Sequence, residues 1–160
     1  MTQSEPVQLL AMRHGAAGSA ASDRERPLSD EGRAQVGRMA ERLRDELGAR
    51  PERLFTSPYP RAAQTAAIVG GILQVSVEPL TELSAGELTA SSLLPVLRAL
   101  APAAHRLMIV GHAPDLANLV TDLTEASHLT LGTAAVAQLE GIELDRGSLR
   151  LIRVWAPGSR

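Results

Sequence analysis

VQLLAMRHGAAG, residues 7–18, decides how this chain is read. VQLLAM (7–12) is a short apolar run with the length of a buried strand. It stops abruptly on Arg13-His14-Gly15 and gives way to small residues. Residues 15–28 are rich in Gly, Ala, Ser, Asp and Arg and contain a proline, so they read as a loop. A strand that ends on an arginine and a histidine is either a solvated strand end or the start of a site.

The rest of the chain favours the second reading, because the pattern recurs. Ser29 is placed to cap a helix whose first turn carries Asp30 and Glu31. Val36, Met39, Ala40, Leu43 and Leu47 follow at helical spacing, and Gly48 is a stop signal. RLFTS (53–57) reads as a second strand, closed by Pro58. A helix rich in small residues follows from Pro60. VSVE (75–78) is a third strand, and residues 91–101 are helical in pattern despite Pro95. RLMIVG (106–111) is a strong buried strand that runs into His112, and a helix follows to about Thr124. The tail changes character: AAVAQLEGI (134–142) and SLRLIRVWA (148–156) flank ELDRG and read as an antiparallel hairpin. Strand–helix alternation predicts an α/β three-layer sandwich, with a mostly parallel central sheet, helices on both faces and the hairpin at one edge.

Composition sets bounds on function. The 160 residues suit one domain, taken as 1–160 with no inserted cap. Aromatic residues make up only 2 % of the chain, which argues against stacking platforms for single-stranded nucleic acid. The net charge of −2 supplies no basic field for nucleic acid or an anionic membrane. No cysteine is present, so thiol catalysis and thiolate metal sites are excluded. Neither a leader nor a membrane-spanning run is visible, and a soluble, cytoplasmic protein is expected.

Three strands end in polar, chemistry-bearing residues: Arg13-His14, then Thr56-Ser57 with Arg61 one helical turn later, then His112. In an open parallel sheet, ligands sit beyond the carboxyl ends of the strands. Two arginines and two histidines converging there would make a local positive site on a mildly acidic protein. Phosphate is the natural guest, because guanidinium forks match its oxygens and helix starts add backbone donors.

These stretches resemble the histidine phosphatase superfamily, which includes phosphoglycerate mutases and acid phosphatases. The matching pieces are RHG (13–15), RPLSDEGRAQ (26–35), TSPYPRAAQTA (56–66), LTEL (80–83) and VGHAP (110–114), in the family's order. The short, capless chain is most similar to the SixA-like phosphohistidine phosphatases. The resemblance implies that His14 is a nucleophile carrying the phosphoryl group as a phosphohistidine, and that Arg13, Arg61 and His112 hold the non-bridging oxygens. It places Glu82 as a proton donor to the leaving group, with Glu78 and Glu87 nearby. It also places Arg26 near the site mouth as a substrate contact. Ser57 reads as a helix-start cap, with a direct phosphate contact as the second reading. The Ala-rich loop after RHG departs from the mutases, which place polar residues near their phosphate.

The resulting expectation is a phosphatase needing neither metal nor cofactor, acting on phosphohistidine displayed by a protein partner. A small phosphate ester is the alternative substrate, and a non-catalytic phosphate-binding module the alternative class. His105 and His128 match no motif and read as structural or surface residues. No His-x-His or His-Glu-x-x-His spacing is present to suggest zinc. Trp155 reads as a packing residue of the last strand.

Overall fold

The computed structural model describes residues 5–158. In chain order the elements are β1 (Val7–Arg13), α1 (Asp30–Glu46), β2 (Arg53–Thr56), α2 (Pro60–Leu73) and β3 (Val77–Pro79). After these come a single 3₁₀ turn (Thr81–Leu83), α3 (Ala90–Leu100), β4 (Arg106–Gly111), α4 (Asp115–Leu123), β5 (Val136–Gly141) and β6 (Leu149–Trp155). The six strands form one sheet in the order β3-β2-β4-β1-β5-β6. β3, β2, β4 and β1 are mutually parallel, and β5 and β6 run antiparallel to their neighbours as the edge hairpin.

Alternation along the strands builds two cores. Leu10 and Met12 of β1, Leu54 of β2 and Met108 and Val110 of β4 face α1 and α2. Leu9 and Ala11, Phe55, and Leu107 and Ile109 face α3 and α4. The central strands are buried on both faces, which is why they read as nearly unbroken apolar runs. A bulge lets β6 serve both layers: Gln138 pairs with Arg153 but Leu139 with Leu151, leaving Ile152 as the extra residue. Leu149 therefore packs toward α3 and α4, and Trp155 toward α1 and α2.

The structure moves several boundaries. The third strand starts at Val77 rather than Val75, because Gln74 takes a left-handed conformation at the end of α2 and Val75 bonds back to Gly70. The turn consumes two residues of the expected strand. β5 likewise begins at Val136 and not Ala134. Ala134 adopts a φ of 59°, and its N–H is shared between the carbonyls of Arg13 and His14. The end of β1 is thus braced from behind by an ordinary residue held in a strained conformation.

The helices after adjacent strands β1 and β4 lie on opposite faces of the sheet. Their departure opens a crevice at the carboxyl ends, the topological switch point where α/β sheets bind ligands. The connections at this end are residues 14–29, 57–59, 80–89 and 112–114, and residues 124–135 reach it before β5.

Candidate active site

The crevice gathers His14, Arg61 and His112, which are 8 %, 6 % and 3 % exposed, with half-buried Arg13 beside them. Each arrives from a different strand end. His14 follows β1, and its N–H donates to the carbonyl of Gly111 at the end of β4. Arg61 stands in the first turn of α2, where Pro60 suits a position whose N–H has no helical partner. His112 follows β4, and its ring lies 5.2 Å from that of His14.

Local packing explains why the loop after His14 lies so close to α1. A Cβ on Gly32 would come within 2.0 Å of the Ala16 carbonyl oxygen, and one on Gly15 within 2.6 Å of Val36. Only glycine at both places lets the chain leave β1 against the helix start. Ser29 caps that helix as its sequence indicates, accepting from the Gly32 N–H at 3.0 Å. Polar residues of the matched motifs complete the brace. Thr65 accepts from the Gly15 N–H at 3.1 Å and donates to the Arg61 carbonyl at 2.7 Å. Gln35 accepts from Ala16 N–H, and Gln64 from Leu28 N–H. These three side chains are architectural, and single-sequence spacing gave no sign of their partners.

The His14 tautomer follows from its neighbours. Nδ1 lies 2.7 Å from the Gly15 carbonyl, which only accepts, so Nδ1 carries the proton. Nε2 then holds a lone pair, and Arg61 Nε–H donates to it at 3.3 Å. Burial, helped by the charges of Arg61, Arg13 and Arg26, lowers the His14 pKa to about 4 against the bond to Gly15. The imidazole is therefore neutral and nucleophilic at pH 7. Burial and the neighbouring His14 and Arg61 likewise lower His112 to about 4.

Asp23 is the site residue that motif reading missed. Its carbonyl accepts from Arg61 at 2.7 Å, and its carboxylate reaches Arg61 at 3.2 Å and Arg26 at 3.2 Å. These two arginines hold the Asp23 carboxyl below the usual carboxylate range, the Arg26 hydrogen bond most of all. Arg26 also donates to the Gly18 carbonyl at 2.8 Å. It thus stands at the mouth, linked to the clamp through Asp23. Arg13 donates to the Leu131 carbonyl at 2.9 Å. Its Nε and the Nδ1 of His112 are buried polar atoms with no hydrogen-bond partner among the described residues.

The remaining expectations resolve as follows. Ser57 stands behind His112, and its oxygen accepts from the backbone at the start of α2. It is fully buried, and its oxygen meets His112 Nε2 at 2.7 Å and the Tyr59 N–H at 3.2 Å. Tyr59 packs its ring edge-on to His112 at 4.9 Å. Glu82 lies half-buried on the 3₁₀ turn, at the same end of the sheet, and that turn's Leu83 carbonyl lies beside Gly111. His105 is half-buried and approaches Glu5 at 3.6 Å, and His128 is exposed; neither belongs to the cluster.

Comparisons with known proteins point the same way. The model of the histidine phosphatase superfamily (branch 1) matches residues 9–106, more than half of the chain. An uncharacterised protein of Picosynechococcus sp. is 33 % identical over 144 residues, covering 83 % of this chain and 84 % of its own. The structure of the protein histidine phosphatase SixA complexed with tungstate is similar at a TM-score of 0.84 and 30 % identity, covering 94 % of this chain and 97 % of that one. A Nakamurella multipartitia structure, a candidate phosphohistidine phosphatase SixA, matches at a TM-score of 0.82 and 25 % identity, covering 99 % and 100 %. With the family model spanning residues 9–106 and these structural matches, the chain belongs to the histidine phosphatase superfamily and is a phosphatase.

Proposed function

We propose that the protein removes phosphoryl groups from phosphohistidine on a protein partner, through a covalent phosphohistidine on His14. The observation that carries the substrate reading is that the connections around the crevice contain no α-helix or strand of their own. We read the chain as a single domain without an inserted cap to enclose a small molecule. Pockets for small ligands bury most of the ligand. An open crevice instead admits a side chain displayed on another protein's surface. The similarity to a protein histidine phosphatase seen with tungstate, a tetrahedral oxyanion, supports this reading.

In the first step, the His14 Nε2 lone pair attacks phosphorus as the bond to the leaving nitrogen breaks. The leaving ring, protonated on its other nitrogen, departs with the electron pair as neutral imidazole. In the second step, water attacks phosphorus, the N–P bond returns its electrons to His14, and orthophosphate leaves. Arg13, Arg61 and the His112 Nδ1–H hold the equatorial oxygens and offset their charge, so the clamp needs no metal or cofactor. Arg26 lies where it can contact the displayed substrate at the mouth. An imidazole leaves readily near neutrality, whereas a sugar alkoxide requires a proton. Glu82, on the 3₁₀ turn at this end of the sheet, is the carboxyl we assign to supply it. The same chemistry could serve a small phosphate ester, and the test separates the two.

The test compares kcat/KM on a phosphohistidine-bearing phosphotransfer domain with that on phosphomonoesters, for the wild type and Glu82→Gln. The protein substrate should be preferred by about 100-fold or more, equivalent to about 2.7 kcal/mol. Glu82→Gln should cut ester hydrolysis and leave phosphohistidine turnover nearly intact. A preference for an ester would overturn the protein-directed reading.

A further inference from the structure

We infer that Ser57 is a positioning residue that fixes the His112 tautomer, so that His112 presents an N–H, not a lone pair, to the phosphoryl group. The argument is a complete count of protons around one buried oxygen. Ser57 is fully buried, and its Oγ has two partners, the Tyr59 N–H at 3.2 Å and His112 Nε2 at 2.7 Å. The Tyr59 N–H can only donate, so it takes one of the oxygen's lone pairs. The hydroxyl proton must then go to an acceptor, and the one partner able to accept is His112 Nε2. A lone pair on Nε2 places the ring proton on Nδ1, because the buried ring is neutral at pH 7.

The opposite tautomer fails the same count twice. With the proton on Nε2, the Ser57 hydroxyl would be a buried donor lacking an acceptor. Nδ1, which has no partner among the described residues, would be a buried lone pair left without a donor. With Ser57 donating, one group remains unpaired, the Nδ1–H, and an anion in the clamp satisfies it. The edge-on Tyr59 ring, 4.9 Å away, holds the imidazole in that orientation. His14 and His112 thus share one tautomer, with opposite nitrogens left for the phosphoryl group in the proposed reaction. His14 offers the bare Nε2 that attacks, and His112 the protonated Nδ1 that binds.

The inference rests on His112 acting as an oxygen donor in the proposed reaction, and two measurements keep the two claims apart. The first is made on the wild-type protein without phosphate, by nitrogen NMR of ¹⁵N-histidine-labelled enzyme at pH 7, with resonances assigned through His112→Asn. Nδ1 of His112 should be protonated and Nε2 bare; a protonated Nε2 overturns the inference whatever the substrate proves to be. The second compares wild type and Ser57→Ala by calorimetric titration with orthophosphate and by the same spectra. Ser57→Ala should mix the two tautomers and weaken orthophosphate binding about tenfold, with Ser57→Thr recovering part of the loss. Unchanged tautomer and affinity in a folded Ser57→Ala protein would equally overturn it. Should Ser57→Ala fail to fold, the wild-type spectrum decides alone. A confirmed tautomer with no orthophosphate binding would instead count against the phosphatase mechanism.

Discussion

Arg61 is bound to Asp23 at two points, through the Asp23 carbonyl at 2.7 Å and its carboxylate at 3.2 Å, while its third nitrogen donates to His14. Each of the three guanidinium nitrogens is therefore engaged in the free protein. One of the partners is an anion, as a phosphoryl group in the proposed reaction would be. A phosphoryl group entering the crevice must displace the carboxylate or lie against it, and either event opposes binding.

Asp23→Asn removes that resident charge while keeping the side chain's shape. Orthophosphate should then inhibit several-fold more strongly, and KM should fall with it. If Asp23 instead serves mainly to orient Arg61, steady-state inhibition assays will show weaker orthophosphate binding in the variant.

Arg61→Lys tests whether charge alone suffices. The planar fork reaches His14 and two oxygens of Asp23 at once, and an ammonium on a flexible stem cannot reproduce that geometry. Loss of one well-placed stabilising donor costs about 10²–10³ in kcat. We expect a loss of that size in single-turnover assays, with a thermal midpoint close to the wild type.

Gly32→Ala places a methyl group where the Ala16 carbonyl oxygen lies 2.0 Å away. Backbone must move, and overpacking of this kind costs roughly 1–3 kcal/mol or more. For a chain of this size the melting temperature should drop by roughly 2–12 °C. The same shift carries the segment after His14, so turnover should fall beyond what the lost stability explains. A melting temperature and kcat equal to wild type would contradict the packing described.

Acid should weaken the fold through the two site histidines. Their pKa falls from 6.5 to about 4 on folding, with burial the first cause of both shifts. Between these values the unfolded chain binds more protons, so stability rises with pH there and is lost as pH falls from about 6.5 toward 4. Either histidine alone would contribute on the order of 3 kcal/mol at neutral pH. Urea titrations across this window should show the slope, and a variant with both histidines replaced should show it flattened. The acid limb of kcat/KM, corrected for substrate ionisation, should lie near pH 4 and not near 6.5.

Much of this protein is legible from one dimension. The apolar runs at 7–12 and 106–111, the spacing from Val36 to Leu43 and the Ser29 cap set the element types, because burial and capping act over a few residues. The boundaries that failed, at β3 and β5, are places where chain reversal overrides local preference. Gln74 and Ala134 take left-handed conformations that nothing in their own sequence demands.

The sequence by itself determined the inventory of the site: Arg13 and His14 on a strand end, Arg61 in a first helical turn, His112 after a buried strand. Those residue types at those positions follow from local chemistry, and the family motif shares them. Only the tertiary structure decided what each one touches. It brought Asp23 from an exposed loop onto Arg61, withdrew Ser57 behind His112, and gave Thr65, Gln35 and Gln64 their backbone partners. Hydrogen bonds are short and directional, and their partners here lie between 19 and 55 residues apart along the chain. No local pattern encodes such a pairing; it exists only once the sheet has brought the strand ends together.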